Sequence, residues 1–143
     1  MVTETEEFLD AMLPRQEAAL RKLCAGEVEP WTAIWGAEAP VTLFGAAGSA
    51  TTREEVRDVQ RRLAQRFSGA SDLRFELVAA RASGDLAYTV GLEHKTVVLD
   101  GEAATYTLRV THVYRLEDGE WRIVHRHGDH PPGQAGQTLS APR

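Results

Sequence analysis

The sequence predicts an α+β fold: N-terminal helices packed in the concave face of a strongly curved antiparallel sheet, a cone or barrel with a central pocket. Three observations predict it. Apolar residues recur at near-helical spacing as far as Phe67. From Asp72 the period falls to two, with Leu73, Phe75 and Leu77 alternating with Arg74 and Glu76. Turn signals at Gly84-Asp85, Asp100-Gly101 and Asp118-Gly119 then cut the remainder into long strands. Helices first and strands after put a helix layer on one sheet face. The other face meets water or a second subunit. The 143 residues are read as one domain over residues 1–130, followed by a Gly-, Pro-, Ser- and Gln-rich tail, 131–143, expected to be disordered.

The elements follow in order. Thr3 with Glu6 forms a capping box, and Phe8, Leu9, Met12, Leu13, Leu20 and Leu23 continue a helix that Pro14 should kink or break. Gly26 ends it. A short second helix has Pro30 in its first turn and Trp31 and Trp35 one turn apart. Val41 to Phe44 reads as a strand and Gly45 to Ser49 as a flexible loop. Thr52 with Glu55 caps a third helix with Val56, Val59, Leu63 and Phe67 as its stripe and Gly69 as its stop. The strands Leu86–Leu99, Thr105–Leu116 and Trp121–His127 complete the sheet.

A two-residue turn at Asp118-Gly119 serves as a ruler. It sets Leu116 opposite Trp121, Tyr114 opposite Ile123 and His112 opposite His125. One face then carries Leu108, Val110, His112, Tyr114, Ile123, His125 and His127, and is taken as the concave one. Arg109, Thr111, Val113, Arg115, Val124 and Arg126 fall outside. By the same alternation Leu86, Tyr88, Val90, Leu92 and His94 point in, and Ala87, Thr89, Gly91, Glu93 and Lys95 point out. Four of the five histidines thus converge on one interior.

Composition narrows the function. A net charge of −5 argues against a nucleic-acid partner, which would need a basic face. No apolar run approaches a membrane span. The acidic N-terminus is unlike a signal peptide, and the single Cys24 suits a reducing compartment. A cytoplasmic protein without membrane contact is expected.

The segments Trp31-Thr32-Ala33-Ile34-Trp35, Val41-Thr42-Leu43-Phe44-Gly45 and Gly84-Asp85-Leu86-Ala87-Tyr88, and above all the ending from Arg109 to His127, resemble the SnoaL-like branch of the nuclear transport factor 2-like superfamily. The resemblance runs from Phe8 to Asp129. It implies the cone fold, a pocket inside it, and homodimerisation through the outer sheet face. Members include ketosteroid isomerases, polyketide cyclases, dehydratases and non-catalytic assembly domains. His112 and Val90 stand where one such assembly domain carries pocket arginines, so that anion site is not carried over.

Three site chemistries are open. No carboxylate is expected inside, since Glu93 points out, which disfavours an aspartate-type steroid isomerase. His112 or His125 can act as general acid/base, with Tyr88 or Tyr114 donating to an oxyanion. Trp31, Trp35, Phe44, Val90, Leu92, His94, Ile123 and His127 would wall the site around a hydrophobic small molecule, with no cofactor. The alternative is a set of hydrogen-bonded core histidines in a non-catalytic binding or assembly domain. The third is a three-histidine metal site of His112, His125 and His127, with His94 as a possible fourth ligand.

Overall fold

A computed structural model describes residues 1–133. The order is α1 (Glu4–Cys24), α2 (Glu29–Ala33), β1 (Thr42–Gly45), β2 (Gly48–Ala50), α3 (Arg53–Arg66), β3 (Phe67–Ser83), β4 (Leu86–Leu99), β5 (Glu102–Glu117) and β6 (Glu120–Asp129). The six strands form one sheet in the order β2-β1-β6-β5-β4-β3, curled but not closed, with the helices on its inner face. The α+β reading holds. The sheet is mixed rather than wholly antiparallel, because β1 runs parallel to β6. Most of the 131–143 tail lies outside the described residues. No helix among those described is long and apolar enough to cross a membrane.

Local chemistry explains most boundaries. The Thr3 hydroxyl accepts from the Glu6 amide at 3.1 Å and the Glu6 carboxylate accepts from the Thr3 amide at 2.9 Å, closing the capping box. The expected break at Pro14 does not occur, and α1 is continuous through it. Pro14 is exposed. Phe8, Met12, Gln16, Ala19, Leu20 and Leu23 on either side of it keep one buried stripe against the sheet, and that packing outweighs the lost backbone hydrogen bond. Gly45–Ser49, expected as a loose loop, turns tightly, pairing Leu43 with Ala50 in the β1–β2 hairpin. Asp100 and Asp118 both take positive φ, 53° and 49°, each followed by a positive-φ glycine, as two-residue hairpins of right-handed twist require.

Two corrections concern facing. The ruler holds from Leu116–Trp121 to Tyr114–Ile123 and then fails, because a bulge at Val124 leaves that residue unpaired. Val113 now lies opposite His125, and His112 opposite Arg126. The bulge falls where the neighbour of β6 changes. Ile123 donates to the Ile34 carbonyl and accepts from the Gly36 amide, whereas His125 pairs with Thr42 of β1. Beyond the bulge Arg126 turns inward, and His125 and His127 turn to the convex face beside Phe44.

On β4 the assignment is reversed throughout. Ala87, Thr89, Gly91, Glu93 and Lys95 are buried, while Leu86 and Tyr88 are exposed and Val90, Leu92 and His94 are half-buried on the convex face. The cause is steric. Phe75 of β3 lies over Gly91, and β4 presents its small residues to the crowded inner side. A Cβ at Gly91 would sit 2.4 Å from Phe75 Cζ and 2.6 Å from the Glu76 carbonyl oxygen. Gly91→Ala is therefore expected to destabilise the protein by roughly 1–3 kcal/mol. Urea denaturation checks it, and an unchanged midpoint would contradict this packing.

Candidate functional site

Between α1, α2, α3 and the inner sheet face lies a cavity of ≈ 420 Å³. That size is ordinary for a small-molecule site. Leu20, Leu23, Trp31, Trp35, Leu43, Val59, Leu63, Phe67 and Leu108 make its walls largely apolar. Its polar lining comes from Gln60 and Arg66 on α3, Lys95 on β4, Thr105 and Tyr106 on β5, Arg126 on β6 and His130 just beyond β6.

Behind this lining is a buried ionic cluster. Glu93 is 1% exposed and receives a two-pronged contact from Arg126, at 2.7 and 2.9 Å. Lys95 approaches the same carboxylate at 3.0 Å. The inner face thus holds a carboxylate after all, but not one suited to take a proton. Burial alone would raise the Glu93 carboxyl, yet the Arg126 and Lys95 charges outweigh it and hold the group well below the usual carboxylate range. The same pairing raises Arg126 against its own desolvation. Lys95 also lies over the Tyr106 ring, 5.6 Å from its centre, and burial pushes the Tyr106 phenol up to about 12.

The cluster continues through His112, and its hydrogen positions follow from one fact: a guanidinium only donates. Arg126 Nη1 is 3.2 Å from His112 Nε2, so that nitrogen accepts and Nδ1 carries the proton. Nδ1 then donates to the Tyr114 hydroxyl at 3.2 Å, which in turn donates to Gln16 Oε1 at 2.5 Å. Thr89 supplies a further contact to the same hydroxyl at 3.1 Å. Burial, with the Arg126 charge beside it, lowers the His112 pKa to about 3. His112 is therefore neutral, and both ring nitrogens are occupied.

Of the residues singled out from the sequence, Trp31 and Trp35 line the cavity. His112 and Tyr114 are fully buried behind it. Ile123 is core. Tyr88, Val90, Leu92, His94, His125, His127 and Phe44 lie on the convex face, where His125 meets the Thr42 hydroxyl at 2.7 Å and His94 bridges Thr107 and Glu76. His112 and the pair His125–His127 are thus on opposite faces and cannot share a metal. Among the described residues no group of three His, Cys, Asp or Glu could hold one. The sequence reading missed Glu93, Lys95, Arg126 and His130. A signal was present, since Glu93 and Lys95 share one side of a strand with the small residues Ala87, Thr89 and Gly91 before them and the apolar Val97 after them.

Three cavity-lining residues also carry a buried polar atom without a partner among the described residues: Trp35 Nε1, Gln60 Nε2 and His130 Nδ1. The Thr32 hydroxyl donates to Gln60 Oε1 at 3.0 Å, which leaves the amide nitrogen free. Buried polar atoms of this kind are costly when they stay unpartnered.

A family model described as a SnoaL-like domain matches residues 17–131. The chain belongs to the SnoaL-like domain family. No curated protein matches it. Solved structures agree on the fold. An NTF2-like protein of unknown function from Pseudomonas putida KT2440 matches at 21% identity with a TM-score of 0.69, covering 92% of this chain and 90% of that one. A ketosteroid isomerase-like protein from Erwinia carotovora atroseptica matches at 15% identity and TM-score 0.69, covering 87% and 96%. A protein of unknown function with a cystatin-like fold from Nostoc punctiforme matches at 19% identity and TM-score 0.61, covering 94% and 97%. The SnoaL-like family assigns the cone and leaves its contents to the individual chain.

Proposed function

We propose that this SnoaL-like domain holds a small, mainly apolar organic molecule in the cone cavity. The observation that carries the reading is the apolar-walled space of ≈ 420 Å³ between the helices and the inner sheet face. A ligand with an apolar body would cover those walls, and a polar end would meet the Lys95, Tyr106 or Arg126 side of the lining. Native mass spectrometry of untagged protein tests it directly. An organic adduct, or a ligand that raises Tm with saturation, is the expected result. Failure of any apolar small molecule to bind would refute the reading.

His130 favours a second reading, catalysis of the isomerase, cyclase or dehydratase kind. It is the one cavity-lining histidine among the described residues, and its Nδ1 is unengaged. His112, with both nitrogens occupied, serves in this reading as a support for Arg126 and Tyr114. The enzyme reading requires that His130→Ala abolish turnover of a bound carbonyl compound while preserving its binding.

The convex face supports a homodimer. Tyr88 is exposed there opposite Val113, with Val90 and Leu92 following on the same side of β4, an apolar strip among polar neighbours. Light scattering is expected to report a dimer, and Leu92→Arg a monomer of unchanged fold. A wild-type monomer at high concentration would exclude this arrangement.

A further inference from the structure

The charges around the cavity do not balance. Lys95, Arg126 and Glu93 are each at least nine-tenths buried, at 5%, 9% and 1% exposure. They are two cations and one carboxylate. The neighbouring polar groups, His112, Tyr114, Tyr106, Gln16 and Thr89, are neutral. Arg66 also lines the cavity but is matched by Asp100, with contacts at 3.1 and 2.9 Å. One positive charge is therefore left over in a buried cluster beside the cavity, an arrangement that an anion would complete.

The geometry says which cation is available. Arg126 commits three of its four terminal N–H groups to Glu93 and His112. Lys95 has three ammonium hydrogens and, among the described residues, one ionic partner, Glu93. Its remaining donors can turn to the cavity it lines.

Resting on the reading of the cavity as a ligand site, we propose that its ligand is a monocarboxylate with an apolar body. The carboxylate would sit on Lys95 and the body against Trp31, Leu43, Leu63 and Phe67. A single negative charge completes the balance. A dianion would exceed it, and a cation would face Lys95 and Arg126 without compensation.

The test uses matched pairs on the intact protein. Hexanoate, octanoate, decanoate and 4-phenylbutyrate are each compared with the primary alcohol of the same skeleton. Binding is read by Trp fluorescence, since Trp31 and Trp35 line the cavity, and by calorimetry. The acids are expected to bind about tenfold or more tighter than the alcohols. Lys95→Met, which leaves the Glu93–Arg126 pair in place, should erase that preference while alcohols still bind. Alcohols binding as tightly as acids to the wild type would overturn the charge assignment and leave the cavity reading intact. A preference surviving in Lys95→Met would also overturn it. If neither series binds, both inferences fall. Should Lys95→Met not fold, the wild-type comparison decides alone.

Discussion

Replacing Arg126 by methionine is expected to lower stability by about 3–5 kcal/mol. The substitution removes the bidentate partner of a carboxylate that is 1% exposed, and with it the donor to His112 Nε2. Lys95 alone would remain beside Glu93. Glu93→Gln is expected to be of similar size for the opposite reason, because it strands two buried cations. The paired replacement, Arg126→Met with Glu93→Gln, should cost clearly less than the sum of the two, since it leaves neither the carboxylate nor the guanidinium buried alone. For a domain of this size each single variant should melt roughly 10 °C below the wild type. Denaturant titrations of all four proteins give the coupling. Strict additivity, or a loss under about 1 kcal/mol for Arg126→Met, would mean that the cluster is far better solvated than its burial indicates.

The fold was legible because its boundaries are written in turn and cap chemistry. Thr3 with Glu6, Pro30, Thr52, and the Asp-Gly pairs at 100–101 and 118–119 each have a local reason to be where they are. The site was not legible because it depends on facing, and facing hangs on single residues. One unpaired residue, Val124, exchanges His125 and His127 for Arg126. On β4 two alternating sets compete. Tyr88, Val90 and Leu92 are the more apolar, and hydropathy alone sends them inward. The inner side instead takes Ala87, Thr89 and Gly91, which leave room for Tyr114 and Phe75, and then a buried ionic group. Periodicity detects that a strand has two faces. It says which is inside only when the core is uniformly apolar, and this cone is not. His130 escaped notice because it follows the last alternating residue and borders a tail that reads as unstructured.

Acid should unfold this protein through His112 first. The neutral imidazole is locked between Arg126 and Tyr114, and its pKa falls to about 3 in the folded state against an ordinary value near 6.5. Below about pH 6.5 the unfolded chain therefore takes up a proton that the native state refuses. Stability is fully present above that pH and declines as pH falls, by about 1.4 kcal/mol per pH unit from this one group. Glu93 acts in the same direction at lower pH. Its carboxyl is held well below the usual carboxylate range, so its contribution is present above about pH 4.3 and is lost below it. His112 alone makes the decline close to one proton steep at pH 6 to 5. His125, also lowered by burial, adds to it in the same direction, and the decline is steeper beneath. His112→Gln isolates the first step, because an amide can accept from Arg126 and donate to Tyr114 without titrating. Urea denaturation of the two proteins between about pH 7 and pH 5 should give a wild-type loss of roughly 2 kcal/mol that the variant largely lacks. Equal slopes would require His112 to gain its proton inside the fold, and the contact from Arg126 to His112 Nε2 would then have to be broken, since neither group could accept.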